Sequence, residues 1–103
     1  MKRILLACSA GMSTSLLVTK MEQHVASINE DAKIWAVGQD QAKKDMANAD
    51  VVLIGPQMSF LKGELQKEAD KYGIKVDVID MMAYGLADGK KAYEQAVKLM
   101  GDK

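Results

Sequence analysis

The sequence contains few of the residues that form disulfides and metal sites. Among its 103 residues there is one cysteine and one histidine. A single cysteine cannot form an internal disulfide or a cysteine-based zinc site, and a single histidine excludes most histidine-rich metal sites. We therefore expect a protein without a bound metal or cofactor, and the role of its one thiol becomes the main question.

The chain also has no excess charge of either sign. Its 14 Lys and Arg residues balance 14 Asp and Glu residues, which gives a formal net charge of +0. Nucleic acids and anionic membrane surfaces favour proteins with a basic excess. Neither is expected to be the main partner of this chain.

Long hydrophobic runs are absent as well. The stretch from Ile4 to Thr19 carries no charge, but only Ile4–Ala7 precede Cys8, and serines and a glycine interrupt the residues after it. A secretory signal has about 7–15 apolar residues before its cleavage site, and a spanning helix has about 20. We expect no targeting segment and no membrane insertion, and hence a cytoplasmic protein with a reduced thiol.

The sequence does contain an alternation of short apolar runs and segments of helical period. It has no internal repeat or linker, which predicts one domain over residues 1–103. Two continuous apolar runs are typical of strands buried on both faces, and two more polar runs predict the other strands. In chain order, strands are predicted at Ile4–Ala7, Ile34–Val37, Val51–Ile54 and Ile74–Ile79, the last at a sheet edge.

The intervening segments place apolar residues three or four positions apart, as amphipathic helices do. A shorter helix is predicted over residues 40–47. The predicted buried stripes are Leu17, Met21, Val25 and Ile28; then Leu61, Leu65, Ala69 and Tyr72; and finally Ala92, Ala96, Leu99 and Met100.

Four successive strand–helix units predict an α/β fold, with a four-stranded parallel sheet and helices on both faces. Placing the two apolar strands at the centre gives the strand order 2-1-3-4, a small flavodoxin-like arrangement. The ligand crevice of such a sheet lies beyond the carboxyl ends of its strands, where the strand order reverses. The segments predicted at that crevice are residues 8–15, 55–59 and 80–85.

The first of these segments, Cys8–Ser15, has the composition of an anion-binding turn. Small residues at a helix start expose several backbone N–H groups, with the positive end of the helix dipole behind them. Gly11 allows a positive φ or a close approach of the backbone, and Ser13 is predicted as the N-cap. The same N–H groups favour the nucleophilic thiolate of Cys8. A buried structural cysteine is the competing interpretation, because free cysteine is among the most buried residue types.

Several related loops disagree with the sequence at single positions. A tyrosine-phosphatase-type loop requires Arg where Thr14 stands, a response regulator requires Asp where Ile54 and Gly55 stand, and thioredoxin-like exchange requires a second cysteine. A flavodoxin requires aromatic walls, and aromatic residues make up only 5% of this chain. A thiolate that receives a phosphoryl group and passes it on is the leading interpretation. The alternative is a non-catalytic flavodoxin-like module that binds a flavin or another phosphate ligand.

The residues from Cys8 to Ser15 closely resemble the active loop of enzyme IIB of the bacterial phosphotransferase system, lactose/cellobiose type. Gly55–Gln57, Asp80 and Tyr84–Gly85 are also similar to that family. The resemblance implies that Cys8 accepts a phosphoryl group from a phosphohistidine of enzyme IIA and passes it to a sugar in the membrane component, enzyme IIC. It further implies the cellobiose/chitobiose branch, and hence a β-linked disaccharide. The residues implied to bind the phosphate are Ser9, Ala10, Gly11, Met12, Ser13, Thr14 and Ser15.

Residues outside this loop each have two interpretations. Gln57 either caps the third helix or reaches toward the phosphate, and Tyr84 either lines the crevice or covers the core. His24 is interpreted as a solvated residue on a polar helix face, not as a phosphate carrier. Four methionines also lie at the crevice segments, and they either form a docking patch for the two partners or pack beneath the loops. They are Met12, Met58, Met81 and Met82.

Overall fold

Four strands and five α-helices alternate in the computed structural model, which describes residues 2–7 and 11–101, without the side chains of residues 11–15 and 39. Two 3₁₀ helices, Met46–Asn48 and Pro56–Leu61, precede the third strand and the third α-helix. No described helix is both long and apolar enough to cross a membrane. In chain order the elements are β1 (Lys2–Ala7), α1 (Gly11–Ser27), β2 (Ala32–Val37), α2 (Gln39–Asp45), β3 (Val51–Ile54), α3 (Lys62–Asp70), β4 (Lys75–Val78), α4 (Met81–Gly85) and α5 (Gly89–Leu99).

The sheet has the predicted strand order and direction. The strands lie in the order β2-β1-β3-β4, and every neighbouring pair is parallel. The side chains of Ile4–Ala7 and Val51–Ile54 are 0% exposed, as two central strands require. The outer strands β2 and β4 carry exposed lysines, Lys33 and Lys75. The flavodoxin-like prediction is confirmed, although β2 begins earlier than predicted and β4 is shorter at both ends.

Helices cover both faces of this sheet. Successive side chains of a strand point to opposite faces, so β1 contributes to two separate cores. Ile4 and Leu6 pack with the residues of α1 and α5. Leu5 and Ala7 pack with the residues of α2 and α3. The end of β1 is therefore fixed from both sides.

Two predicted core residues are exposed instead. Ile28 is 41% exposed and Tyr72 is 44% exposed. Both lie just beyond the ends of α1 and α3, and the spacing of a helical stripe does not apply past the last turn. Tyr93, which the predicted stripe of α5 omits, is buried with 3% exposure.

Segments predicted at the carboxyl edge contain helical turns. In the predicted crevice segment 55–59, a 3₁₀ helix begins at Pro56, where proline's fixed φ suits a first helical position. In the predicted crevice segment 80–85, Asp80 caps the short helix α4. The helix predicted over 40–47 ends earlier as an α-helix and continues as a 3₁₀ turn.

Helices α1 and α5 approach closely where α5 begins. A Cβ added to Gly89 would lie 2.3 Å from the carbonyl carbon of Lys20, 2.4 Å from its oxygen and 2.5 Å from the nitrogen of Met21. Because these are backbone atoms, only glycine fits at this crossing.

Candidate functional site

The predicted crevice begins where β1 and β3 end side by side. The N–H of Gly55 donates to the carbonyl oxygen of Ala7 at 3.0 Å, so the segment after β3 starts beside the last residue of β1. Cys8 follows Ala7 directly in the sequence. Cys8, Ser9 and Ala10 lie outside the described residues. The roles predicted for these three residues therefore stay predictions.

Helix α1 begins at Gly11, not after the predicted N-cap Ser13. That N-cap prediction is wrong, because the first helical turn already includes the hydroxyl-rich residues. Two uses were open for Gly11, a positive φ and a close approach of the backbone to a ligand. Because Gly11 lies in the helix, only the close approach stays a prediction. The first four N–H groups of an α-helix have no partner within it, and here they stand at the positive end of a 17-residue helix. The side chains of Met12, Ser13, Thr14 and Ser15 lie outside the described part of the chain.

On the β3 side of the crevice, the side chain of Gln57 folds back over Gly55. A Cβ added to Gly55 would lie 2.9 Å from Oε1 of Gln57, so the lack of a side chain at Gly55 makes room for this amide. The N–H of Met58 donates to the carbonyl oxygen of Gly55 at 2.8 Å and turns the chain. The prediction that Gln57 caps the third helix is wrong, because α3 follows Leu61 and has no side-chain cap.

On the β4 side, Asp80 fixes the start of α4. Its Oδ2 accepts hydrogen bonds from the N–H groups of Met82 at 3.1 Å and Ala83 at 3.0 Å. The N–H of Asp80 donates to Oε1 of Gln95 at 2.9 Å, and Nε2 of Gln95 donates to the carbonyl oxygen of Val78 at 2.7 Å. An Asp directly before an apolar run is a helix-start signal, so this cap was readable from the sequence.

The structure brings together the two residues predicted to act outside the cysteine loop. Nε2 of Gln57 donates to Oη of Tyr84 at 3.0 Å. Tyr84 is partly buried and packs against the core between the sheet and helices α1 and α5. Its ring therefore covers the core, as one of its two interpretations predicts, while its hydroxyl group contacts the amide on the opposite side of the crevice.

Exposed apolar side chains flank the crevice. Met81, Met82 and Leu86 are 76%, 62% and 69% exposed, and together they form a surface that we call the α4 patch. Phe60, on the 3₁₀ helix after β3, is 78% exposed, whereas Met58 on the same helix is buried in the core. The docking interpretation is therefore wrong for Met58. Sequence reasoning missed Phe60 and Leu86, because no periodic pattern marks an isolated exposed apolar residue.

Two hydrogen-bonded carboxylates, Asp50 and Glu30, lie at the amino ends of the strands, opposite to the crevice. Hydrogen bonds from the side chain of Arg3, one of them 2.9 Å long, hold the pKa of Asp50 below its ordinary value. A hydrogen bond from the hydroxyl group of Tyr93 lowers the pKa of Glu30. Both pairs stabilise the strand starts and stand apart from the predicted thiol chemistry.

His24 belongs to this opposite end. It is half-buried, and its ring lies edge-on to Tyr93 with ring centroids 5.7 Å apart, so it is solvated on one side only. It lines a groove of about 690 Å³ together with Lys2 and Glu30. At a rise of about 1.5 Å per residue, it lies roughly 20 Å along α1 from Gly11. A direct role for His24 beside Cys8 is thus disfavoured by distance.

Comparison with known proteins agrees with this fold and with the family that the sequence resembles. Residues 3–95 match the family described as PTS system, lactose/cellobiose specific IIB subunit. The oligo-beta-mannoside-specific EIIB component of the PTS system of Bacillus subtilis (strain 168) is 77% identical, over 97% of each chain. The cellobiose-specific EIIB component of Lactococcus lactis subsp. lactis (strain IL1403) is 43% identical, over 96% of each chain. The solution structure of the cellobiose-specific phosphotransferase IIB component from Borrelia burgdorferi has a TM-score of 0.81 and 35% identity, and the match covers 97% of this chain and 92% of that one. These matches confirm the resemblance seen in the loop: the chain belongs to the lactose/cellobiose-specific IIB subunit family of the phosphotransferase system.

Proposed function

We propose that this chain is a phosphoryl carrier of bacterial sugar uptake and that Cys8 is the residue that carries the phosphate. The observation that supports this most directly is where the only cysteine falls in the sequence, between the buried end of β1 and the start of α1. That is the edge of the sheet where parallel α/β folds bind their ligands. The chain acts as one IIB domain over residues 1–103, in the cytoplasm.

The proposed reaction is a pair of phosphoryl transfers through the sulfur of Cys8. The thiolate attacks the phosphorus of a phosphohistidine on enzyme IIA, so the P–S bond forms while the P–N bond breaks and its electron pair returns to the imidazole. A sugar hydroxyl bound by enzyme IIC then attacks the same phosphorus. The P–O bond forms, the P–S bond breaks, the hydroxyl proton passes to a base at the sugar site, and the thiolate is restored.

Neutral groups hold the transferred phosphate in this proposal. No Lys or Arg occurs between Ile4 and Thr19, yet a bound phosphate carries about two negative charges. Backbone N–H groups and hydroxyl groups at the start of α1 balance that charge. A fixed cation would assist attack by water, so its absence favours a carrier over a phosphatase. The residues proposed to surround the phosphate are Ser9, Ala10, Gly11, Met12, Ser13, Thr14 and Ser15.

The partners proposed are enzyme IIA as the phosphate donor and the membrane component enzyme IIC as the sugar site. The α4 patch offers methionine side chains, which adapt to different surfaces, beside the crevice. A net charge of +0 suits repeated weak docking better than a charge-driven complex. The sugar class is a β-linked oligosaccharide, since similar EIIB components are named for oligo-beta-mannoside and cellobiose.

The test is to mix the purified chain with a phosphorylated enzyme IIA and to measure the intact mass and the position of the adduct. We expect one phosphate per chain, on Cys8, and none in Cys8→Ser. His24→Gln is the matched control and is expected to accept phosphate normally. An adduct that persists in Cys8→Ser, or one that maps to His24, would contradict the proposal. A purified chain that retains a bound flavin would support the alternative of a ligand-binding module.

A further inference from the structure

The hydrogen bond between Gln57 and Tyr84 joins two segments on opposite layers of the fold. Gln57 stands on the 3₁₀ helix after β3, whose buried residues Met58 and Leu61 pack on the α2–α3 face. Tyr84 stands on α4, and its ring packs against the core on the α1–α5 face. The 3.0 Å bond therefore crosses the carboxyl edge of the sheet from one layer to the other.

Each end of this bridge is fixed by further contacts. The amide of Gln57 lies against Gly55, whose N–H is bonded to the carbonyl oxygen of Ala7, the residue before Cys8. The N–H of Tyr84 donates to the carbonyl oxygen of Asp80 at 2.9 Å, and the tyrosine ring is partly buried. Gln57 is exposed, so the bond is a surface contact whose ordered end is the partly buried ring of Tyr84. Because that ring is already held by packing, the bond forms with a smaller loss of conformational entropy than one between two mobile side chains.

Helix α4 depends on contacts of this kind. It has five residues, Met81–Gly85, whereas isolated helices shorter than about 12 residues are not stable on their own in water. The carboxylate of Asp80 holds its first turn, and the bridge holds Tyr84 near its end. The orientation of the exposed α4 patch therefore follows from the cap and the bridge together.

We propose that Gln57 and Tyr84 are a positioning pair for phosphoryl transfer. The inference rests on the proposed function of Cys8. The bridge sets the α4 patch at a fixed place relative to the segment that begins at Gly55, beside the end of β1. A docked donor is thereby aligned with the thiolate. Such alignment matters because a displacement of about 1 Å can slow a transfer about 100-fold. Neither residue forms or breaks a bond in the reaction.

The test measures transfer from a phosphorylated enzyme IIA to Cys8 in single turnovers, as a function of the IIA concentration. Tyr84→Phe removes the hydroxyl group and keeps the ring, and Gln57→Leu removes the amide. Each change is expected to lower the maximal rate about fivefold to tenfold, the effect of one hydrogen bond, and to alter the half-saturating concentration less than about twofold. The double variant is expected to be no slower than the slower single variant, because both changes remove one interaction.

Matched controls separate positioning from general damage. Tyr72→Phe removes a hydroxyl group from an exposed tyrosine beyond α3, and Gln41→Leu removes an exposed amide from α2. Both controls are expected to transfer phosphate at the wild-type rate. All variants are expected to melt within about 3 °C of the wild type, since none of them removes a buried apolar group.

The outcomes distinguish this inference from the proposed function. If the wild-type chain takes up no phosphate on Cys8, the proposed function fails first. If the wild type accepts phosphate and Tyr84→Phe and Gln57→Leu do so at the same rate, only the bridge is refuted. Rate losses that multiply in the double variant would show two independent roles and would also overturn the positioning pair.

Discussion

Replacing Gly89 by Ala tests whether α1 and α5 cross as closely as the structure indicates. The added Cβ would lie 2.3 Å from the carbonyl carbon of Lys20, whereas ordinary van der Waals contacts begin at 3.4 Å. The two helices must therefore separate by about 1 Å, because backbone atoms cannot rotate away as a side chain does.

The cost of this separation is set by what each helix already buries. Leu17 and Met21 of α1 and Ala92 of α5 are 0% exposed, so moving the helices apart loosens a close-packed core. Asp88 also fixes the start of α5, since its carboxylate accepts a hydrogen bond from the N–H of Lys91 at 3.1 Å. Overpacking of this kind costs about 2–3 kcal/mol. For a domain of about 100 residues, each kcal/mol lowers the Tm by about 4–8 °C, which gives a total loss of roughly 8–24 °C.

The assay is thermal unfolding measured by circular dichroism, with urea unfolding to obtain the free energy. Gly63→Ala is the matched control, because Gly63 lies within α3 and a Cβ there meets nothing within 4 Å. That control is expected to gain up to about 1 kcal/mol, since Ala is the better helix former. If Gly89→Ala unfolds within about 0.5 kcal/mol of the wild type, the close crossing and the strain expected from it are wrong.

Two further substitutions test the burial of Met58 and the pairing of Asp50 with Arg3. Met58→Ala is expected to cost about 2–5 kcal/mol of unfolding free energy, because Met58 is 4% exposed. The control Met82→Ala is expected to stay within about 0.5 kcal/mol of the wild type, because Met82 is 62% exposed. Equal urea midpoints for the two variants would contradict the assignment of Met58 to the core. The hydrogen bonds from Arg3 lower the pKa of Asp50 in the folded chain, so their stabilisation is present above the ordinary carboxyl pKa of about 4 and is lost as the pH falls through the lower folded value. Between pH 6 and pH 3, the Asp50→Asn variant is therefore expected to lose less unfolding free energy than the wild type, as measured by urea titration. Asp31→Asn, at an exposed position, is the control. A pH dependence of Asp50→Asn equal to that of the wild type would refute the pairing of Arg3 with Asp50.

The parts of the fold that were predictable are those whose burial leaves a mark on neighbouring residues. Val51–Ile54 is apolar at every position because both faces of β3 are covered, and this places it at the centre of the sheet. Ile28 and Tyr72 continue the apolar spacing of their helices in the sequence, yet both lie past the helix ends and are exposed. Where a helix ends depends on its tertiary contacts, which the spacing does not record.

In the candidate site, too, some features are marked in the sequence and others depend on the folded structure. Cys8 and the small residues after it are marked by their type and by their place after an apolar strand, so the sequence alone predicts a site at this loop. The bond between Gln57 and Tyr84 was not, because it links two connections that are separate in sequence and meet only once the strand order is set. The exposure of Phe60 depends equally on the fold, since Met58 on the same 3₁₀ helix is buried.

Because β1 is buried on both faces, it is expected to take no part in local unfolding of the domain. The strand pairs with β2 on one edge and with β3 on the other, so the amides of Ile4–Ala7 are expected to exchange with solvent deuterium only when the whole domain unfolds. The amides of the five-residue helix α4 are expected to exchange through small local openings. In the proposed function, the phosphate is thus attached to the residue after β1, where amide exchange is expected to be slowest. The partners dock on α4, where amide exchange is expected to be faster. A local opening of α4 between two docking events then leaves the strand that leads to Cys8 undisturbed.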